Sequence, residues 1–336
     1  MPDHRDQSRL TLVLLGTPAP HAVRVIASGL LDDVLAAQAR FDDGEADALH
    51  DLRVAIRRLR SWLRAFRPEL ADTVRGRTRR KLHALATATN EARDAEVALA
   101  FIERQPALPA RTRAAVRVMV GELEKACRDH AREMRRTVDR DLPKAARSLS
   151  SQLESWWERH RIDAPAPVRP MSDVFANALR HQVQRTESAL AHVDATSKAD
   201  VVHRARIAAK RLRYLLEPLD EELGAVEPIR LLRSMQQQLG DARDAHRIAT
   251  QLVREIGERA ARDARGRALT SAGIVSDDDG ERPGPAAGRA GLTELARRAH
   301  AARDTAYAEF AAQWSKAELA SLVHQIDAIA DRVEGG

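Results

Sequence analysis

The feature that most constrains this chain is a basic motif that occurs twice. Residues 48–66 read ALHDLRVAIRRLRSWLRAF, and residues 201–219 read VVHRARIAAKRLRYLLEPL. Both contain His-x-x-Arg-x-x-x-(Arg/Lys)-Arg-x-Arg. At this composition, a second histidine followed by the same four basic positions is expected by chance in roughly one chain in a hundred. The match therefore indicates an internal duplication.

A second pair of matching segments supports the duplication. The residues from Asn90 to Ala95 (NEARDA) recur as Gly240 to Ala245 (GDARDA), at nearly the same distance behind the basic motif. We therefore expect two halves with the same order of helices. Either arginine of this turn, Arg93 or Arg243, is equally compatible with a ligand contact and with a structural role beside the aspartate that follows it.

Each copy of the basic motif has the periodicity of a packed helix. Apolar residues recur at spacings of three and four, which places them on one face. A basic stripe with the same spacing lies on the neighbouring face. The apolar residues are Leu49, Leu52, Ile56, Leu59, Leu63 and Phe66, then Val202, Ala205, Ala209, Leu212 and Leu216. The stripes are His50, Arg53, Arg57, Arg60 and Arg64, then His203, Arg206, Lys210 and Arg213, with Arg58 and Arg211 pointing further round.

The composition favours an all-α fold. Aromatic residues make up 3% of the 336 residues, and helix-forming Ala, Leu, Arg and Glu predominate. We expect an N-terminal tail (1–18), a first half (19–162), a Pro-rich linker (163–171) and a second half (172–333) with a flexible loop (265–291). The predicted helices are 20–41, 47–66, 71–90, 93–105, 110–140 and 143–160, then 172–193, 199–216, 228–239, 242–264 and 292–333.

The basic stripes require negative charge from elsewhere. No Asp or Glu lies between Arg53 and Phe66, although the net charge of the whole chain is only +6. Acids on neighbouring helices or a bound polyanion can neutralise such a stripe, and we favour the polyanion because both copies carry the stripe. A helix from residue 50 to residue 64 spans about 21 Å, which suits an extended phosphate chain. Glu217 replaces the last arginine in the second copy, so we expect weaker binding there.

Three other classes of function are weighed against a phosphate chain. A metal site would need a second His or a carboxylate four residues after His50 or His203 in the stripe, and neither copy has one; the surrounding cations also repel metal ions. A phosphate-chain hydrolase needs carboxylates to hold Mg²⁺, which the stripes lack. A nucleic-acid binder needs aromatic or base-reading side chains, which do not interleave with the stripes. His50 and His203 could donate to phosphate more strongly as the pH falls through about 6.5.

The two motifs, each followed by its Arg-Asp turn, resemble the CHAD (conserved histidine α-helical domain) family from about residue 18 to the end. The resemblance implies two four-helix bundles related by a pseudo-twofold axis, with a basic central groove or pore that binds inorganic polyphosphate. It implies a stand-alone bacterial binding protein without cofactor, metal or enzymatic activity, located in the cytoplasm or at polyphosphate granules. With a single cysteine, Cys127, and no membrane-spanning run, the composition agrees with that location. The implied contacts are His50, Arg53, Arg57, Arg58, Arg60, Arg64, His203, Arg206, Lys210, Arg211 and Arg213, with Arg93 and Arg243 less firmly placed.

Overall fold

The computed structural model describes residues 9–45, 47–106, 110–160, 169–193, 199–219, 221–272, 274 and 285–335, and within these ranges the regular structure is entirely helical. The all-α prediction is therefore confirmed. The helices are α1 (Leu12–Leu15), α2 (Ala19–Asp42), α3 (Ala48–Ala65), α4 (Gly76–Glu103), α5 (Ala110–Arg159), α6 (Met171–Leu190), α7 (Ala199–Leu216), α8 (Val226–Ser271), α9 (Pro285–Gln313) and α10 (Lys316–Gly335), with a 3-10 turn at Glu221–Leu223.

The apolar faces predicted for the two basic helices form part of the main core. On α3, Leu52, Ile56, Leu59, Leu63 and Phe66 at its end are all nearly inaccessible to solvent. The five apolar positions predicted on α7 are also buried. Burial of these faces fixes the rotation of both helices, and the basic stripes must then lie beside the core.

Helices at equivalent places in the two halves contact each other. Within the halves, α2 packs on α3 and α4 on α5, while α6 packs on α7 and α7 on α8. Between the halves, α2 contacts α6, α3 contacts α7, and α4 contacts α8. These contacts agree with the predicted duplication; the pseudo-twofold axis itself stays a prediction.

A second, smaller core lies away from the main one. It is formed where the end of α4 and the beginning of α5 meet the middle of α8 and the first part of α9. Leu252, Leu292 and Leu295 are fully buried there. The long helices α5 and α8 contribute to both cores and hold them in one body.

Several predicted helix ends are wrong. Asn90 and Gly240 lie inside continuous helices, α4 and α8, and Pro143 lies inside α5. One glycine or asparagine costs a helix only about 1 kcal/mol or less, which packing on both sides of the position outweighs. The predicted loop 265–291 is also shorter than expected, because α8 continues to Ser271 and α9 begins at Pro285. Most of its remainder, 275–284, lies outside the described residues.

The predicted N-terminal tail is packed from residue 9 onward, so that prediction is wrong for its last ten residues. Leu10 is fully buried, and its backbone N–H donates to the carbonyl of Pro218 at 2.6 Å. Leu15 on α1 is also buried, and Pro18 pairs with Pro170 at the beginning of α6. Of the predicted linker, residues 163–168 lie outside the described part of the chain.

Candidate functional site

Four helices, α3, α4, α7 and α8, surround an open cavity of about 740 Å³, here called the central groove. Both halves contribute to its wall, and eight of the thirteen predicted site residues lie there. Three aspartates also line it, against seven Arg or Lys side chains. The basic and histidine residues of the central groove are His50, Arg53, Arg57, Arg93, Arg104, His203, Arg206, Lys210 and Arg243.

Lys210 experiences the strongest electrostatic effect in the groove. Burial, followed by the charges of Arg57, Arg206, Arg60 and Arg211, lowers the pKa of Lys210 to about 7. Burial and nearby cations also lower the pKa of His203 and the pKa of Arg206. Because an anion relieves both repulsion and desolvation, the groove favours binding of negative charge.

Two arginines that line the central groove have buried nitrogen atoms without a hydrogen-bond partner in the described part of the protein. They are the Nε atoms of Arg53 and Arg206. The Nδ1 atom of His203 is also buried without a hydrogen-bond partner in the described residues. Burial lowers the pKa of Arg53 to about 10. Such donors are costly when buried, which indicates that a ligand or solvent completes their hydrogen bonding.

Gly240 provides the space in which Arg206 lies. A Cβ atom at position 240 would stand 3.3 Å from the Arg206 Nε atom. The glycine therefore permits a close approach of α7 to α8 and does not end a helix. At the matching position in the first half, the Asn90 side chain accepts a hydrogen bond from Arg57.

Acidic residues occupy one side of the groove, on α4 and α8. Burial, with a smaller contribution from Asp94, raises the pKa of Asp244, although three arginines oppose this effect. Arg247 donates to the backbone carbonyl of Asp94 at 2.6 Å and so joins α8 to α4. The acids are consistent with a structural role beside Arg93 and Arg243, both of which still line the groove.

The expectation that Arg58 and Arg213 contact the ligand does not agree with their positions. Neither lines the central groove, and both are paired with Glu217: Arg58 Nε donates to its carboxylate at 2.7 Å, and Arg213 also hydrogen-bonds to it. The Glu217 side chain is only 8% exposed. Glu217 therefore neutralises Arg58 and Arg213 and joins the halves, and weaker binding along the second stripe stays a prediction.

Arg60, Arg64 and Arg211 lie beyond the end of the groove. Arg60 contacts the Nδ1 atom of His83 at 2.8 Å, and burial with repulsion from Arg64 and Arg57 lowers the pKa of Arg60 to about 10. Arg64 is exposed, and its charge also acts on Arg211. These residues continue the basic surface past the cavity.

Sequence reasoning missed Arg104. It lines the groove from the end of α4, on the same face as Arg93, Val97 and Ala100. The spacing of four, three and four residues is the available signal, and it falls within the predicted helix 93–105.

The described residues contain no group of three or more His, Cys, Asp or Glu side chains arranged to hold a metal ion. None of the described helices is both long and apolar enough to cross a membrane. What the groove offers chemically is fixed hydrogen-bond donors and positive charge.

These features define an all-helical domain with a cationic groove between two similar halves. The chain belongs to the CHAD domain family, which matches residues 25–254. It is similar in fold to the CHAD domain from the plant Ricinus communis (20% identity, TM-score 0.60, covering 87% of this chain and 96% of the other). It is also similar to PptA from Streptomyces chartreusis (15% identity, TM-score 0.58, covering 88% and 99%). A search of curated proteins finds no match.

Proposed function

We propose that this protein binds inorganic polyphosphate in the central groove and acts as a binding module rather than an enzyme. The observation that carries the proposal is the convergence of both basic stripes on one groove, with buried arginine donors that lack protein partners in the described residues. Membership of the CHAD domain family, which is associated with polyphosphate-related proteins, supports the same ligand. Location in the cytoplasm at polyphosphate granules is part of this proposal.

The groove favours a phosphate chain over nucleic acid. Nucleic-acid binding commonly uses exposed aromatic rings for base stacking. Phe101 is the single Phe, Tyr or Trp among the described residues that line the groove, and it packs against the smaller core. A ligand that consists of phosphates alone matches arginine forks without needing any such platform.

Binding is favoured over hydrolysis for a related reason. Phosphoryl transfer requires carboxylates that hold Mg²⁺ beside the phosphates and a group that positions the nucleophile. Asp94, Asp241 and Asp244 line the groove, but Asp94 and Asp244 lie among the charges of the neighbouring arginines. This arrangement supports neutralisation of the arginines rather than metal binding.

The test is calorimetric titration with long-chain polyphosphate at about 0.3 M salt, where weak nonspecific contacts are suppressed. We expect the wild type to bind and Arg57→Ala/Lys210→Ala to bind at least tenfold more weakly, because both charges lie inside the groove. Arg136→Ala/Arg297→Ala is the matched control, since it removes two charges from exposed positions on α5 and α9. It should change the affinity less than twofold.

Duplex DNA serves as competitor in the same titration. Failure of DNA to displace polyphosphate supports the proposal. Equal binding of DNA, or equal losses in the groove variant and the control, contradicts it. Release of orthophosphate by the wild type with added Mg²⁺ would contradict the non-enzymatic part.

A further inference from the structure

The duplication produces two grooves at matching places, one along α2 and α3 and the other along α6 and α7. Tyr214, Glu217 and Pro218 of the second half also line the first of them. The α2/α3 groove has a volume of about 520 Å³, and the α6/α7 groove has a volume of about 550 Å³. Pro18 and Pro170 precede α2 and α6 and pair with each other, which aligns Asp33 with Arg185. The basic motif aligns Asp51 with Arg204. All four aligned residues line their respective grooves.

The α2/α3 groove neutralises its own cations. Arg40 donates to Glu45 at 2.7 Å and to Asp51 at 2.8 Å. Arg58 donates to Glu217, and the charge of Asp33 also acts on Arg58 to raise its pKa. Because Arg40 and Arg58 both face carboxylates, this groove has little attraction for an anion.

The α6/α7 groove has the opposite character, because arginines replace both aspartates. Arg185 is exposed, and among the described residues neither Arg185 nor Arg211 forms an ion pair with a carboxylate. Burial, followed by the charges of Arg64 and Arg185, lowers the pKa of Arg211. Arg204 pairs with Asp200 at 2.7 Å, but both side chains are more than 60% exposed, so this pair is readily exchanged for another anion.

The cations between the central groove and the α6/α7 groove form a continuous series. Arg60 and Arg211 both act electrostatically on Lys210 in the central groove. Arg64 acts on Arg60 and on Arg211, and Arg185 acts on Arg211. Positive side chains therefore lie near one another from Lys210 in the central groove to Arg185 in the α6/α7 groove.

We propose that the α6/α7 groove is a second anion site, which binds the part of a long inorganic polyphosphate that extends beyond the central groove. The inference rests on the proposed function. It assigns the site to Arg185 and Arg204, which line the groove together with His181 and His192, and to Arg211, whose charge interacts with that of Arg185. The α2/α3 groove has aspartates at the two aligned positions, so we do not expect it to bind an anion.

The experiment compares two probes, tripolyphosphate and long-chain polyphosphate, on Arg185→Asp/Arg204→Asp. This variant places aspartates in the α6/α7 groove at the two positions where the α2/α3 groove has them. We expect the affinity for the long chain to fall at least tenfold, with a weaker dependence on salt, because fewer counterions are displaced. The affinity for tripolyphosphate, which the central groove holds entirely, should change less than twofold. Arg136→Asp/Arg297→Asp makes the same change of charge away from both grooves and should leave both affinities within twofold of the wild type.

A fluorescence measurement can report directly whether a ligand occupies the α6/α7 groove. Ser188 is exposed and lines the α6/α7 groove, so Ser188→Cys in a Cys127→Ser background can carry an environment-sensitive dye. The long chain should change the dye emission, and tripolyphosphate should not. Circular dichroism melting shows whether each variant is folded.

Unchanged long-chain affinity in the folded Arg185→Asp/Arg204→Asp variant, or an equal loss for both probes, overturns the second site while the central groove stands. Failure of the wild type to bind either probe overturns the proposed function and the second site together.

Discussion

Lys210 occupies the position in the second copy of the motif where the first copy has Arg57, and both side chains line the central groove. The substitution matters because lysine can lose its proton when desolvated, whereas arginine stays charged. With a pKa of about 7, Lys210 is half neutral at neutral pH in the free protein. A bound polyanion favours the charged form, so binding is coupled to proton uptake.

We therefore predict that polyphosphate affinity falls as the pH rises from 7.0 to 8.5. Below a pH of about 7, Lys210 is already charged before binding. Above it, binding must first protonate the amine, at a cost of up to about tenfold in affinity per pH unit. Calorimetry in two buffers with different ionisation heats measures the uptake directly. Burial and the charges of Arg243, Arg206 and Lys210 lower the pKa of His203, which opposes protonation of this histidine.

Lys210→Arg provides the control for this prediction. It keeps the positive charge and should bind without proton uptake between pH 7.0 and 8.5. Identical buffer dependence in this variant and the wild type would mean that another group takes up the proton.

Gly240 shows why a residue can be located correctly from sequence and still be misinterpreted. Glycine after an apolar run is a common helix end, and that interpretation was reasonable from local signals. Its actual role depends on Arg206, which lies 34 positions earlier and reaches it only after α7 packs on α8. Such a contact leaves no local pattern in the sequence.

At the level of the helix, the spacing of apolar residues on α3 and α7 predicted both the core face and the basic face. The sequence could not show which part of each basic face the partner helix would meet. Glu217 illustrates this limit, since it follows α7 but binds Arg58 on α3. It is an ion-pair partner from the other half, one of the alternatives that the isolated stripe leaves open.

We predict that Glu217→Ala destabilises the protein by about 2 kcal/mol, because it leaves Arg58 and Arg213 without their carboxylate. The estimate lies below the range for fully buried pairs, since the Arg58 side chain is 40% exposed. Urea unfolding followed by circular dichroism measures the change. Arg204→Ala is the comparison, because it breaks the exposed pair with Asp200 and should cost less than about 1 kcal/mol. Equal losses would show that Glu217 acts as an ordinary surface residue.

The helix boundaries within α4 and α8 were predicted less well than the helices themselves. Local signals at Asn90 and Gly240 are worth about 1 kcal/mol or less, while α8 gains packing against α7 and α9 along much of its length. Arg104 was missed for a different reason: it lies with Arg93 in the predicted helix 93–105 but outside the repeated segment from Asn90 to Ala95.

For the whole molecule, the repeated motif predicted two similar halves, and the resemblance to the CHAD family implied a shared basic groove. Eight predicted residues do meet there, because α3 contacts α7 and α4 contacts α8. The difference in charge between the α2/α3 groove and the α6/α7 groove could not be predicted from the repeated motif. This difference depends on single residues such as Asp33 and Arg185, which can be recognised as equivalent only after the two halves are aligned in space.

The N-terminal segment links the halves at the point where the sequence suggested a tail. Its polar first residues and short apolar run gave no helical periodicity long enough to assign. In the structure, Leu10 is fully buried and pairs with Leu219, which follows the basic motif of the second half. At the beginning of α6, the Met171 N–H donates to the Thr17 carbonyl at 2.9 Å. Residues 10–17 therefore connect the first half to the second through backbone hydrogen bonds and buried apolar contacts.

We predict that Leu10→Ala lowers the free energy of unfolding by about 2–5 kcal/mol, the usual range for a leucine removed from a packed core. Leu12→Ala is the matched control, because Leu12 lies two residues away but is 52% exposed, and it should cost less than about 0.5 kcal/mol. Urea midpoints measured under the same conditions give both values. A loss for Leu10→Ala as small as that for Leu12→Ala would mean that this segment detaches in solution. The two halves would then be held together by the contacts between α2 and α6, α3 and α7, and α4 and α8 without help from the N-terminal segment.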